Sequence, residues 1–153
     1  RMLNLAYRIL KDRDKAEDVL MDVFSSIPET IKSFRNESTI STWLFKMTLN
    51  ASLMQIRKEK RHFELETENS DLILEKTVGF KKDLSHFETQ ALTEALNSLP
   101  ALNRSILWLK DAEGVSVNEL ATIYKSPSGT IKARLSRART FVRDFIERRN
   151  KND

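Results

Sequence analysis

SVNELATIYKSPSGTIKARLSRAR, residues 116–139, sets out a helix, a break and a second helix. Ser116 and Glu119 stand three residues apart at its start. That is the spacing of a capping box, in which a serine oxygen and a glutamate carboxylate each satisfy an orphan amide of the first turn. Ala121 gives the short helix a small side chain against which a second helix packs closely. Ser126-Pro127-Ser128-Gly129 interrupts the run, and the helical pattern that follows carries Lys132, Arg134, Arg137 and Arg139. With Lys125 these make five basic residues between 125 and 139, with no acidic one. Helix, tight turn and basic helix is the layout of a helix-turn-helix, whose second helix reads the major groove of DNA.

Outward from this stretch, the composition narrows the class. A chain of 153 residues holds one ordinary domain or two small ones. Only three glycines and three prolines break it, which favours helices. Zero cysteines exclude disulfides, cysteine metal sites and thiol catalysis, and two histidines, His62 and His86, are too few for a histidine cage. No cofactor is expected. No apolar run approaches the roughly 18 residues that cross a bilayer, and no signal-peptide pattern is present, so a cytoplasmic protein without membrane insertion is the expectation. The chain starts at Arg1 within a helical pattern, as a piece lacking some N-terminal residues would.

The net charge of +4 is unevenly spread. Residues 1–62 carry 12 basic and 8 acidic side chains, residues 63–99 carry 3 and 8, and residues 100–153 carry 11 and 6. Two basic blocks around an acidic middle suit two DNA-facing domains joined by a segment that avoids phosphate. The fold expected is all-α: two small helical domains, 1–62 and 86–153, joined by an acidic linker, 63–85, with the C-terminal domain a helix-turn-helix.

Helical spacing sets the rest. Leu3, Ala6, Tyr7 and Leu10 share a face. Asp14 is expected to start a second helix with Ala16, Val19, Leu20, Val23, Phe24 and Ile27 as its apolar side and Pro28 at its end. A helical turn is expected at residues 31–34. A long helix is expected from about Thr42 to Arg61 with Trp43, Leu44, Met47, Ala51 and Met54 buried. Further helices are expected at residues 84–98 and 102–111, with Pro100 between them and Gly114 closing the second. The last helix should reach about Arg148. No repeat and no alternating strand pattern is present.

The long helix has a second stripe. Lys46, Asn50, Leu53, Arg57 and Arg61 share a face, with Lys58 and Lys60 beside it. Lysine and arginine neutralise phosphates, and asparagine reads base edges. The polar loop before it holds Arg35, Asn36, Ser38 and Thr39 between Phe34 and Ile40, a composition suited to an unstacked base. The plainer reading is an amphipathic helix with a solvated basic face, with Trp43 and Phe34 in the core. On the preceding helix, Asp14, Glu17, Asp18, Met21 and Asp22 crowd the side away from its apolar stripe. With no histidine or glycine loop to close a pocket, acid–base or metal chemistry has no support there. A solvated helix start, favoured by the helix dipole, and a docking face for a basic partner both stand.

Together these pieces resemble the extracytoplasmic-function group of bacterial sigma factors, the small two-domain members of the sigma-70 family. Asp14-Lys15-Ala16-Glu17-Asp18-Val19 through Asp22-Val23-Phe24 looks like the family's signature helix. The resemblance implies that it docks on the beta-prime clamp helices of core RNA polymerase, with Met21 where glutamine is common. Ser41-Thr42-Trp43-Leu44-Phe45-Lys46-Met47 through Asn50, with Arg57 and Arg61, is similar to the segment that melts and reads the minus-10 element. The loop with Arg35, Asn36, Ser38 and Thr39 would hold a flipped base. Leu99-Pro100, Arg104, Leu107, Asp111, Glu113-Gly114 and Ser116 match the start of the second domain. Gly129-Thr130-Ile131-Lys132-Ala133-Arg134-Leu135-Ser136-Arg137-Ala138-Arg139 matches its minus-35 recognition helix. Lys125, Ser126 and Pro127 stand where the family has glycine, an apolar residue and the capping serine. Ser126 is therefore expected as the cap with Pro127 at the first helical position.

By this resemblance the chain is a promoter-specificity subunit and not an enzyme. Ser128, Thr130, Lys132, Ala133, Arg134, Ser136 and Arg137 would face the minus-35 element. The partners implied are core RNA polymerase, through its beta-prime clamp helices and beta flap, promoter DNA and an anti-sigma factor, with the linker threading the polymerase. Two rival classes remain. A stand-alone helix-turn-helix regulator would bind a two-fold symmetric operator without polymerase. A protein-interaction module with incidental basic faces would bind with little dependence on salt.

Overall fold

Asp12, extended at φ −137° and ψ 123°, accepts a hydrogen bond from the amide of Lys15 at 3.1 Å and so starts the second helix two residues before the expected Asp14. The computed structural model describes residues 1–66 and 87–152, all helices and short turns with no strand among them. In chain order they are α1 (Met2–Leu10), α2 (Arg13–Thr30), a 3-10 turn (Ile31–Ser33), α3 (Ile40–Glu66), α4 (Phe87–Ser98), α5 (Ala101–Asp111), α6 (Val117–Tyr124) and α7 (Ser128–Asn152). The linker expected at 63–85 and the helix start expected at 84 lie largely outside the described residues, as does His86.

Pro28 does not end α2, which runs on to Thr30. The amide that proline lacks would have bonded the carbonyl of Phe24, a residue exposed to water. The last turn is tightened instead by hydroxyls: Ser26 donates to the Val23 carbonyl and Thr30 to the Ser26 carbonyl, each at 2.8 Å. Phe24 itself is 53% exposed rather than on the buried side. Ala16, Val19 and Val23 make that side, and Ala16 and Val19 pack with Ala6 of α1.

The buried face of α3 also differs from the expected stripe. Thr42, Phe45, Thr48, Leu49 and Ser52 are buried, whereas Met54 is 68% exposed and Trp43, Leu44, Met47 and Ala51 are half-buried. The reason is tertiary. Phe45 and Leu49, together with Leu5 and Ile9 of α1, enter one continuous core with Leu99, Ile106, Leu107, Leu109, Leu120 and Ile123 of α5, α6 and their connections. Helix α3 is thus enclosed by α1 and α2 on one side and α6 on the other.

Gly114 sits at φ 68°, the left-handed conformation that lets the chain turn out of α5 without strain. Lys125 takes the same conformation, φ 48° and ψ 45°, to end α6. The turn after it departs from expectation. α7 starts at Ser128, the Pro127 carbonyl accepts from the Ile131 amide at 3.1 Å, and Pro127 is therefore the cap position. The Ser126 hydroxyl donates to the Tyr124 carbonyl at 3.2 Å and caps nothing in α7.

Candidate nucleic-acid interface

The capping box forms. The Ser116 oxygen accepts from the Glu119 amide at 3.2 Å, and the Glu119 carboxylate accepts from the Ser116 amide at 3.0 Å. This starts α6, whose Leu120 and Ile123 are buried against α7. On α7, Ile131, Leu135 and Ala138 recur at helical spacing and are buried. The opposite face leaves Ser128, Lys132, Ala133, Ser136 and Arg137 exposed to water. That is the disposition of a helix held by its back with its donors outward.

Two arginines of the basic run are turned away from that face. Arg139 forms a two-pronged pair with Asp111 of α5, at 2.6 and 3.3 Å, and this bonding raises its pKa. Arg134 is half-buried and donates to the Asn103 side chain at 3.4 Å. Thr130 is likewise half-buried. Of the run's basic side chains, Lys125, Lys132, Arg137 and Arg139 are exposed, and of these Arg139 is the one held by Asp111; the Arg137 Nε also donates to the Ala133 carbonyl at 3.3 Å.

The first basic helix presents Asn50, Arg57 and Arg61 to solvent, with Lys46 half-buried and Leu53 packed against the shared core. In the loop before it, Arg35, Asn36 and Thr39 are exposed and Ser38 is half-buried. Asn36 takes φ 55°, which asparagine tolerates better than most residues. Thr39 anchors the helix start: its hydroxyl accepts from the Thr42 amide at 3.1 Å and lies 2.9 Å from the Thr42 hydroxyl. The rings of Phe34 and Trp43 lie 5.4 Å apart at 49°, both half-buried, a small aromatic wall beside the loop.

On α2, Asp14, Glu17, Asp18, Met21 and Asp22 are all exposed. Glu17 accepts from Arg13 one turn back at 2.9 Å. Phe24, which helical spacing placed on the buried side, instead joins Met21, 70% exposed, to make an apolar centre within this acidic face. The signal that could have found it is Met21 and Phe24 at i and i+3 among Asp18 and Asp22. A groove of about 610 Å³ also opens between α4, α5 and α7, lined by Leu92, Leu96, Leu107, Trp108, Val142 and Ile146. Among the described residues no group of three or more His, Cys, Asp and Glu side chains could hold a metal, and no helix is long and apolar enough to cross a membrane.

Comparison with known proteins finds two family profiles, sigma-70 region 2 over residues 1–62 and sigma-70 region 4 over residues 89–142. The chain is 32% identical to the ECF RNA polymerase sigma factor EcfG of Rhodopseudomonas palustris, over 83% of this chain and 68% of that protein. It is 27% identical to the RNA polymerase sigma factor SigV of Bacillus subtilis, over 91% and 80% of the two chains. Among solved structures it is similar to the sigma factor RpoE of Bartonella quintana in complex with the anti-sigma factor NepR. That match has a TM-score of 0.77 and 28% identity, and covers 95% of this chain and 89% of that one.

Proposed function

Because the chain belongs to the extracytoplasmic-function sigma factors of the sigma-70 family, which are transcription initiation factors, we propose a residue-level account of how it specifies promoters. It works in the bacterial cytoplasm, catalyses no reaction and needs no cofactor. The chain divides into a polymerase-docking and minus-10 domain at 1–62, a linker at 63–85 and a minus-35 domain at 86–153.

Lys132 and Arg137 lie in the major groove of the minus-35 element, with Ser128, Ala133 and Ser136 against bases or phosphates beside them. Arg134 reaches DNA only by leaving Asn103, and Thr130 contributes at the edge. At the minus-10 element, Lys46, Asn50, Arg57 and Arg61 hold phosphates and base edges. Arg35, Asn36, Ser38 and Thr39 form the pocket for an unstacked base, with Trp43 as its aromatic wall. Opening costs a few kcal/mol per unstacked step, offset by capture of the flipped base rather than by ATP. Asp14, Glu17, Asp18, Met21 and Asp22 dock on the beta-prime clamp helices, with Phe24 in the apolar centre of that contact. The groove between α4, α5 and α7 seats the beta flap. An anti-sigma factor, the partner of the similar RpoE, masks these faces.

The observation that carries this reading is the order of the two matched regions on one chain, each presenting an outward donor face. Run-off transcription with purified core polymerase over a pool of genomic promoter fragments tests it. Start sites that appear only with the protein and share spaced minus-35 and minus-10 motifs are expected. Binding to a symmetric duplex without polymerase, with no new start sites, would replace the account with an ordinary operator-binding regulator.

A further inference from the structure

Helix α3 holds four apolar residues between Asn50 and Arg61, and three of them have a place inside the protein. Leu53 and Ile56 pack against the main core, and Ala51 packs against Ala6, Ala16 and Val19. The fourth, Met54, is 68% exposed and belongs to neither cluster. It stands four residues after Asn50, three before Arg57 and seven before Arg61, which puts all four side chains on one face of the helix. Asn50, Arg57 and Arg61 are exposed with it, and the exposed Lys58 flanks it. Glu59, the single carboxylate of the stretch, is held on the α2 side by Lys15 at 2.9 Å. An apolar tip therefore stands in the middle of a face of hydrogen-bond donors.

Methionine does different chemistry from these neighbours. Its thioether has no proton to donate, so it cannot hold a phosphate or the acceptor atoms of a base. On the major-groove edges of DNA the apolar feature is the C5 methyl group of thymine. An unbranched, polarizable side chain adapts its shape to such a contact. Met54 lies 11 residues beyond Trp43, about 16 Å along the helix axis, and so away from the loop assigned to the unstacked base. The bases it meets are paired, with their methyl groups standing in the groove.

We propose that Met54 is a specificity-determining residue that reads a thymine methyl group in the paired part of the minus-10 element. The proposal deepens the minus-10 reading above and rests on it. Phosphate contacts fix the register of α3 on the duplex and carry no sequence information of their own. Met54 adds a preference for an A·T pair at one position, and it does so without charge.

The test uses holoenzyme assembled from core polymerase and the full chain, on promoter duplexes recovered in the run-off assay. Each thymine of the minus-10 region, on either strand, is replaced in turn by deoxyuridine, which lacks only the C5 methyl. The wild type is expected to bind about fourfold more weakly when one particular thymine is replaced, the worth of one buried methyl group. Met54→Ala should bind the unmodified promoter more weakly by a similar factor, and thymine and deoxyuridine should then be equivalent at that position. Met54→Leu, which keeps an apolar tip, should retain the difference. Neither variant should alter the log–log salt slope, which reports phosphate contacts. A wild-type enzyme indifferent to every deoxyuridine, a methyl effect that persists in Met54→Ala, or recovered promoters with no recurrent A·T pair in the paired part of the element would overturn the proposal while leaving the start sites, and the promoter reading, in place. Absence of any start site would overturn the promoter reading and this contact with it.

Discussion

Glu119 serves two ends of the molecule with one carboxylate. It accepts from the Ser116 amide and from the Thr42 hydroxyl, while its own amide bonds the Ser116 oxygen. The backbone bond from Ser116, then its hydroxyl, lowers the Glu119 pKa. A carboxyl depressed on folding adds stability that is present above its unfolded pKa, about 4.3, and is lost as pH falls through the lower folded value. Ser116→Ala is expected to cost about 1 kcal/mol in thermal or urea unfolding, and Glu119→Gln to flatten the acid limb of the stability profile below about pH 4. Arg137→Ala should lower transcription from cognate promoters and leave polymerase affinity intact; loss of polymerase binding would mark the residue as structural. Asp18→Arg should weaken polymerase binding, read by competition with the wild-type protein, and unchanged affinity would remove the docking role of the α2 face. Sequence spacing identified these side chains, because exposed charge on a helix face needs no partner to be legible. It could not identify Asp111 and Asn103 as the partners that hold Arg139 and Arg134 against α5.

Helices α2 and α3 were legible as helices but not in which side they bury. Their boundaries follow from local chemistry: Asp12 caps α2, Thr39 braces the start of α3, and Lys125 in the left-handed region ends α6. The buried side of α3 mixes Phe45 and Leu49 with Thr42, Thr48 and Ser52, whose small hydroxyls make it read as polar in sequence. The Thr48 hydroxyl is satisfied within the helix by the Leu44 carbonyl at 2.9 Å, which makes its burial inexpensive. Leu49→Ala is expected to cost about 2–5 kcal/mol in urea unfolding, as for other core leucines. Met54→Ala, at a residue 68% exposed, should change stability by less than about 0.5 kcal/mol. Equal effects would restore the stripe that spacing alone suggested. In the same helix, Arg57→Ala should reduce the salt dependence of promoter binding by the holoenzyme, lowering the log–log slope by about 0.9 for one lost phosphate contact.

Across the whole molecule, charge and the order of the helices follow one plan along the chain. Two basic blocks around an acidic middle, a capping box ahead of a basic helix and an acidic helix near the start are all local patterns, and they suffice for the all-helical class, the helix-turn-helix and the candidate DNA and polymerase faces. Local pattern works there because capping bonds, helix periodicity and exposed charge depend on residues within a turn or two of one another. Tertiary packing chose which face of α3 is buried, which arginines of α7 are paired with α5 side chains, and that Arg104 joins the ends of α1 and α4. Those depend on residues about 95 positions apart in the chain, such as Ile9 and Arg104, whose meeting no spacing rule encodes. Arg104 reads in sequence as one more cation; only the convergence of two helix C-termini around it makes it the buried centre of the molecule.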